Sequence, residues 1–404
     1  MSRLDVSPAT YRALAHQLSD FTADYLESLP NLPSFPLDAG AEITEPLFQS
    51  ELPLEGLGEA ALAPLAHIAH FSRPNSPRFF GYVFGSGLPI GALADFVASV
   101  LNQNVTAWRS GPAAVTLERT VVRWLAQAVG CDGFSGSLTG GGSAANLMGL
   151  CMAREAKLPA NEAGNSGGVI YCSTEAHMSI PKAAMLLGIG RSNVRRIAVD
   201  AKFRMDLAAL RSAITQDLDS GRKPIAVVAT AGTVSTGSID PLPEIADICR
   251  EHSLWLHVDG AYGALASLAA PEKFAGLNRA DSLSLDPHKW LYQPAGCGCL
   301  LYRDPAAAQR RLCPLRRLRS LAFQRSYRGL RLFRRINGTL PPLPRPEDLA
   351  LAALFRASCF PGVHLRRPSP GKVSRRGDPI RAQPRTPRSR RTQRRLFPLS
   401  SPGR

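Results

Sequence analysis

Lys289 sits in Ser284-Leu285-Asp286-Pro287-His288-Lys289-Trp290, just past a short apolar run. Asp259 closes a second apolar run in His257-Val258-Asp259-Gly260-Ala261-Tyr262. Most lysines are solvated surface groups, so a single one carries little information. An acid and a lysine at the ends of two buried strands carry more, because neither is buried without a partner. Pyridoxal phosphate (PLP) chemistry requires this pair. The amine forms a Schiff base with the cofactor aldehyde, and the carboxylate holds the pyridine nitrogen protonated.

A phosphate needs its own cradle. Leu138-Thr139-Gly140-Gly141-Gly142-Ser143-Ala144-Ala145-Asn146 leads directly into a helix. Glycines let the backbone approach an anion, and free N–H groups with a Ser hydroxyl at a helix N-terminus bind phosphate. A Gly-rich turn is often only a turn, and this one is neither a GxGxxG fingerprint nor a P-loop. The nearby Asp and Lys make the cradle the better reading. His177 follows another strand, in Ser173-Thr174-Glu175-Ala176-His177-Met178-Ser179. A lone His is usually structural or a cap. At the sheet edge, where a cofactor ring must lie, stacking or proton handling is favoured.

The elements that must position these groups alternate along the chain. Helices are predicted at 89–101, 115–129, 144–154, 180–187, 207–220 and 242–251. Strands are predicted at 169–172, 194–199, 225–231, 255–258, 282–285 and 298–302. Near-continuous apolar strands separated by helices predict an α/β fold with a mostly parallel sheet covered on both faces. Ligands of such sheets bind outside the carboxyl ends of the strands. His177, Thr233, Asp259 and Lys289 all follow predicted strands, so the architecture alone brings them together. Upstream, Ser7-Pro8 starts an amphipathic helix carrying Tyr11, Leu14, Leu18, Phe21 and Tyr25, which must pack on the main domain or on another chain. A Pro-rich connector and a second apolar helix around 59–70 follow.

Together these residues resemble the group II PLP-dependent amino-acid decarboxylases, the family of the aromatic-L-amino-acid, tyrosine, histidine and glutamate decarboxylases. The likeness covers about residues 5–313. It runs through Pro77-Arg78-Phe79-Phe80-Gly81-Tyr82, Gly141-Gly142-Ser143, His177, Ala231-Gly232-Thr233, Gly237-Ser238-Ile239-Asp240-Pro241, His257-Val258-Asp259 and Asp286-Pro287-His288-Lys289-Trp290. It implies the fold type I, PLP-dependent transferase-like architecture. An N-terminal helical segment (1–75) would precede a PLP-binding large domain (76–313), and the active site would be built at a homodimer interface. The resemblance further implies that Lys289 binds the aldehyde, Asp259 pairs with the ring nitrogen and His177 stacks on the ring. Gly142, Ser143 and His288 would reach the phosphate, with Thr233 beside the cofactor and Ala261 beneath the ring. Phe79, Phe80 and Tyr82 would line the substrate side, mildly favouring an aromatic amino acid, although core packing accounts for them nearly as well. The expected reaction is decarboxylation of an L-amino acid to its amine and CO2. Aminotransfer, or another lyase reaction on the same fold, is the alternative, and its product would be an oxo acid. Three positions depart from the family pattern: Ala144 where an acid is common, Val234 where some members have Thr, and Asp286 in place of an Asn. They blur the substrate more than the cofactor.

Composition constrains the rest. The net charge of +16 is unevenly spread: residues 1–313 hold 25 Lys and Arg against 29 Asp and Glu, and residues 314–404 hold 23 against 3. Eight cysteines show no disulfide-framework spacing, no signal peptide precedes them, and no run approaches the roughly 18 apolar residues of a membrane span. A reducing, cytoplasmic setting is expected, with no membrane partner. Cys297-Gly298-Cys299 lacks a third ligand nearby, so no metal site is expected.

Residues 314–404 contain 22 Arg and 13 Pro, and they read as a disordered basic tail or as sequence translated out of frame. Arg without interleaved aromatics gives only salt-sensitive affinity, so no specific nucleic acid is expected as partner. The out-of-frame reading fits better. One permitted codon choice for 325–339, read one base later, gives an acidic, aromatic segment like the one the family carries there. The family's catalytic loop Tyr is not recognisable in the chain's own frame, so little turnover is expected from the chain as it stands. Sequencing the gene across codon 313 is expected to show the family pattern continuing in another frame. Three frames without that pattern would establish the Arg-rich segment as native.

Overall fold

Ser7 accepts the backbone N–H of Thr10 through its hydroxyl at 3.1 Å and, with Pro8 in the first turn, starts α1 (Pro8–Ser28). The computed structural model to which this helix belongs describes residues 6–35, 47, 57–106, 108–160, 164 and 167–305. The Arg-rich segment from 314, with the expected boundary at 313, lies outside the described residues. No residue of α1 is buried, and Tyr11 and Leu26 of its apolar stripe stand exposed. The second apolar helix is not continuous. It is a 3-10 turn, Gly58–Leu62, followed by a short α2 (Leu65–Phe71). Pro64 sits between them, and a proline inside a helix removes an N–H and clashes with the preceding turn.

The main unit follows. Two helices, α3 (Pro89–Leu101) and α4 (Pro112–Ala128), lead to β1 (Ser135–Thr139) and α5 (Gly142–Lys157). Then come β2 (Val169–Ser173), α6 (Ser179–Leu186), β3 (Val194–Ile197), α7 (Leu207–Asp219), β4 (Pro224–Thr230) and α8 (Leu242–Glu251). The unit closes with β5 (Trp255–Asp259), β6 (Ser282–Leu285), the single turn α9 (Pro287–Trp290) and β7 (Gly298–Tyr302). The predicted helices and strands are all present, shifted at most a few residues at their ends. One strand was not predicted. The segment Ser-Gly-Ser-Leu-Thr of β1 has no apolar run, and it becomes a strand by antiparallel pairing with β7, Ser135 opposite Tyr302 and Thr139 opposite Gly298.

The seven strands form one sheet in the order β1-β7-β6-β5-β4-β2-β3. The five from β6 to β3 are parallel, and β7 runs against both of its neighbours. Strand side chains alternate between faces, and two buried clusters result. Val227 and Ala229 of β4 join Leu210 and Ile214 of α7 and Ile245 and Ile248 of α8. Ala226 and Val228 join Leu150 and Met152 of α5 and Ile180 of α6. Among the described residues no helix is long and apolar enough to cross a membrane.

The loop after β4 delivers Thr233, and a buried acid shapes it. Asp240 accepts Met205 N–H through Oδ1 and Thr230 N–H through Oδ2, both at 2.7 Å. Burial pushes its carboxyl up to about 6. Wild-type stability from this group is therefore fully present below the unfolded carboxyl value of about 4 and declines as pH rises through about 6. Asp240→Asn keeps the volume but offers one acceptor to two N–H groups. It is expected to lose that pH dependence and to cost about 1–3 kcal/mol, the range for an unsatisfied buried donor, read as a shift in the urea midpoint. An unshifted midpoint would show that the loop does not need the carboxylate.

Candidate active site

A cavity of about 660 Å³ opens at the carboxyl ends of the parallel strands. It is walled by the Gly140–Ala144 turn, His177, Thr233, Asp259, Ala261, His288 and Lys289, so every residue expected around the cofactor lines one space. Phe79, Phe80 and Tyr82 do not line it. Phe80 is 93% and Tyr82 73% exposed, and Phe79 packs under the Arg73 guanidinium at 4.1 Å. Their neighbours Val83 and Phe84 enter instead. The cause is a close backbone approach. Gly85 N–H donates to His288 O at 3.1 Å, and a Cβ on Gly85 would meet Lys289 O at 2.5 Å. That contact draws residues 83–85 inward and places Phe84 against the His288 ring, centroids 5.4 Å apart.

Asp259 ends β5 and is 5% exposed. A buried carboxylate is costly unless donors converge on it. Three do: Asn146 Nδ2 to Oδ2 at 2.9 Å, and Ala261 N–H and Ser284 Oγ to Oδ1, each at 3.1 Å. Asn146 and Ser284 were not among the expected site residues. Both read as ordinary helix and strand residues until β5, β6 and α5 are packed together.

Lys289 lies in α9 with its side chain 12% exposed, and its Nζ is 2.8 Å from Asp286 Oδ2. Burial raises the Asp286 carboxyl, and the Lys289 charge works against that rise. His288 donates from Nδ1 to Cys297 O at 2.7 Å, which leaves its Nε2 3.7 Å from the same Asp286 oxygen. On the far wall, His177 Nδ1 meets Ser179 Oγ at 2.9 Å. The Thr233 hydroxyl turns back into its own loop, accepting from the N–H groups of Thr236 and Ser238 at 3.3 and 3.2 Å.

Two features of the walls call for a polar ligand. Asp286 Oδ1 and Thr230 Oγ1 are buried with no hydrogen-bond partner among the described residues, and both residues line the cavity. The floor is cut to fit as well, since a Cβ on Gly142 would meet Ala261 Cβ at 2.6 Å and Asp286 Oδ2 at 2.9 Å. The turn before it ends at the N-terminus of α5, where backbone N–H groups favour an anion.

Residues 65–315 match the pyridoxal-dependent decarboxylase conserved domain. The chain belongs to the pyridoxal-dependent decarboxylase family. It is 37% identical over 313 residues to the aromatic-L-amino-acid decarboxylase of Bacillus atrophaeus, a match covering 74% of this chain and 63% of that protein. It is 40% identical over 215 residues to the L-2,4-diaminobutyrate decarboxylase of Rhizobium meliloti, covering 53% of this chain and 43% of the relative. The chain thus spans less than two thirds of these relatives' length. Among solved structures, it is similar to Oryza sativa TDC with PLP, with a TM-score of 0.68 at 27% identity, covering 76% of this chain and 69% of that one. The fold is accordingly fold type I, and the site fits PLP. It offers an amine, a carboxylate and a glycine cradle around one space, with two polar atoms still to be satisfied.

Gly142 and Gly140 make a paired test of the cradle. Gly142→Ala overpacks the floor and is expected to cost about 1–3 kcal/mol in urea unfolding. Gly140→Ala, whose Cβ meets nothing within 4 Å, is expected to be silent. Equal effects of the two changes would mean that the floor is not close-packed.

Proposed function

We propose that the chain carries the large domain of a PLP-dependent carboxy-lyase acting on an L-amino acid, with a second copy completing the active site. The observation that carries this reading is the placement of Lys289 and Asp259 on one cavity at the strand ends of a pyridoxal-dependent decarboxylase fold. When bound, PLP supplies an aldehyde that captures an amine and a ring that accepts the electron pair released as the carboxylate leaves.

The protein's own groups do the rest. Lys289 would hold the aldehyde end, and the Asp259 carboxylate would take the hydrogen bond of the ring nitrogen. Gly142 and Ser143 at the start of α5, with His288, would hold the phosphate, while Ala261 and His177 would flank the ring. Thr233 closes the side wall through its loop. Loss of CO2 would break the bond from Cα to the carboxylate, and a proton from solvent, or from a group of the second copy, would replace it at Cα. Asp259, already held by three donors, would keep the ring nitrogen protonated without reorganising, which is what lets such a ring accept electrons.

Substrate choice falls to Phe84 and Val83 on the cavity wall, together with groups of the second copy. An aromatic or similarly apolar side chain suits that wall. A homodimer is supported by the exposed apolar face of α3, where Ile90, Leu93, Phe96 and Val100 are all at least 46% exposed. The bare stripe of α1 offers a further surface for the same contact. Cys131, Cys151, Cys172 and Cys249 carry thiols, which suits a reducing, cytoplasmic setting.

Borohydride reduction after incubation with PLP is expected to leave a pyridoxyl group on Lys289, read by peptide mass, and none in Lys289→Ala. Asp259→Asn removes a charged partner, and its amide NH2 must face one of the three donors. PLP affinity is expected to fall about ten- to a hundredfold, following the 1.5–3 kcal/mol of a charged hydrogen bond. CO2 release from aromatic, acidic and diamino acids is then compared between the chain and a version whose frame is restored after residue 313. The restored version is expected to release CO2 and an amine. An oxo acid without CO2 would replace decarboxylation by aminotransfer.

A further inference from the structure

Behind the cavity a string of polar side chains crosses an otherwise apolar layer. Asn146, on α5, is 1% exposed, and next to it Ala145, Leu150 and Ala153 belong to the apolar core. Its amide touches three groups. Nδ2 reaches Asp259 Oδ2 and Ser179 Oγ, and Oδ1 meets His257 Nε2, all at 2.9 Å.

The directions of these bonds are forced. A carboxylate only accepts, so the amide edge facing Asp259 is the NH2, and Oδ1 faces His257. His257 therefore carries its proton on Nε2, and its bare Nδ1 accepts the Ser282 hydroxyl at 2.8 Å. Ser282 Oγ in turn accepts Trp255 Nε1–H at 2.9 Å. On the other branch, Ser179 Oγ accepts from Asn146 and so has its own proton free for His177 Nδ1 at 2.9 Å. The backbone N–H of Ser179 points at the same nitrogen at 3.2 Å. His177 is thus left with its proton on Nε2.

We infer that Asn146 is a positioning residue that sets Asp259 and the tautomer of His177 together, with His257 and Ser282 behind it holding the amide in the one useful orientation. This rests on the proposed function, since it concerns the two groups assigned to the ring nitrogen and the ring face. Burial depresses the His257 imidazole to about 4, so it stays neutral and keeps one N–H and one lone pair. A cationic His257 would have no lone pair for Ser282. The string also needs α5 close to β5. Gly149, one turn after Asn146, permits it: a Cβ there would meet the His257 ring at 2.6 Å. Plain adhesion of helix to sheet does not require any of this. A buried polar string is worth keeping only when every member is satisfied, and apolar packing of the same volume serves stability as well. Its particular product is directionality: each donor points toward Asp259 or His177.

The test is 15N–1H NMR of the full chain labelled at histidine, with and without PLP, signals being assigned through His177→Gln and His257→Gln. Both histidines are expected as Nε2–H tautomers with bare Nδ1. In Ser179→Ala the His177 signals are expected to move toward tautomer exchange while those of His257 stay. Ser179→Thr, which retains the hydroxyl, is expected to restore them. Asn146→Leu is expected to disturb both histidines and to weaken PLP binding about ten- to a hundredfold, the range for losing an outer partner of an oriented ligand group. Unchanged His177 signals in Ser179→Ala, or wild-type PLP affinity in a folded Asn146→Leu, would overturn the inference. A wild-type chain with these tautomers that takes no PLP would overturn the cofactor reading and leave the string itself established.

Discussion

One buried carboxylate organises the centre of this molecule. Asp259 is nearly sealed from water, and a charge so placed must be met by donors or not form at all. Its three donors come from α5, from the turn after β5, and from β6. Satisfying them fixes the distance of α5 from the sheet, the register of β6 beside β5 and the path of residues 260–262. The cavity is the space that remains once those three conditions hold. Its phosphate end is set by the start of α5, and its lysine end by the turn that follows β6.

The same condition explains why glycine recurs where backbone crosses backbone. Gly142, Gly149 and Gly260 each sit where a Cβ would collide with a neighbouring side chain at 2.4–2.6 Å. At Gly142 the neighbour is Ala261, at Gly149 it is His257, and at Gly260 it is Ala264. Two of these lie on α5, and the third directly follows Asp259. Equally close approaches recur at the β1–β7 edge, where a Cβ on Gly136 would meet Leu300 O, and at Gly298, where one would meet Gly141 Cα at 2.5 Å.

Much of this was legible in the sequence, for identifiable reasons. Strands β2, β4, β5 and β6 are buried on both faces, and the residues at or just past their carboxyl ends fall at the site by topology. Lys289, Asp259 and His177 were found in this way, and the glycine turn from its own composition ahead of a helix. Strand β1 was not, because its Ser and Gly residues carry no strand signal and its pairing with β7 is a tertiary event. Asn146 escaped for a related reason. A polar residue within a helix reads as solvated until the packing shows it to be 1% exposed. Phe79, Phe80 and Tyr82 were expected at the cavity from resemblance alone, and the contact of Gly85 with the Lys289 turn brings in Phe84 instead.

The Lys289–Asp286 pair joins an ammonium to a buried carboxylate within one turn. A neutral amide at 286 could donate a hydrogen bond but could not balance a lysine charge. A carboxylate there does the reverse: it holds Nζ at 2.8 Å and leaves Oδ1 without a partner among the described residues. Burial raises the carboxyl while the Lys289 charge opposes that rise. Asp286 and Lys289 are joined across the single turn of α9, three residues apart. The geometry that the other members of the site impose on α9 is what keeps the two groups in contact.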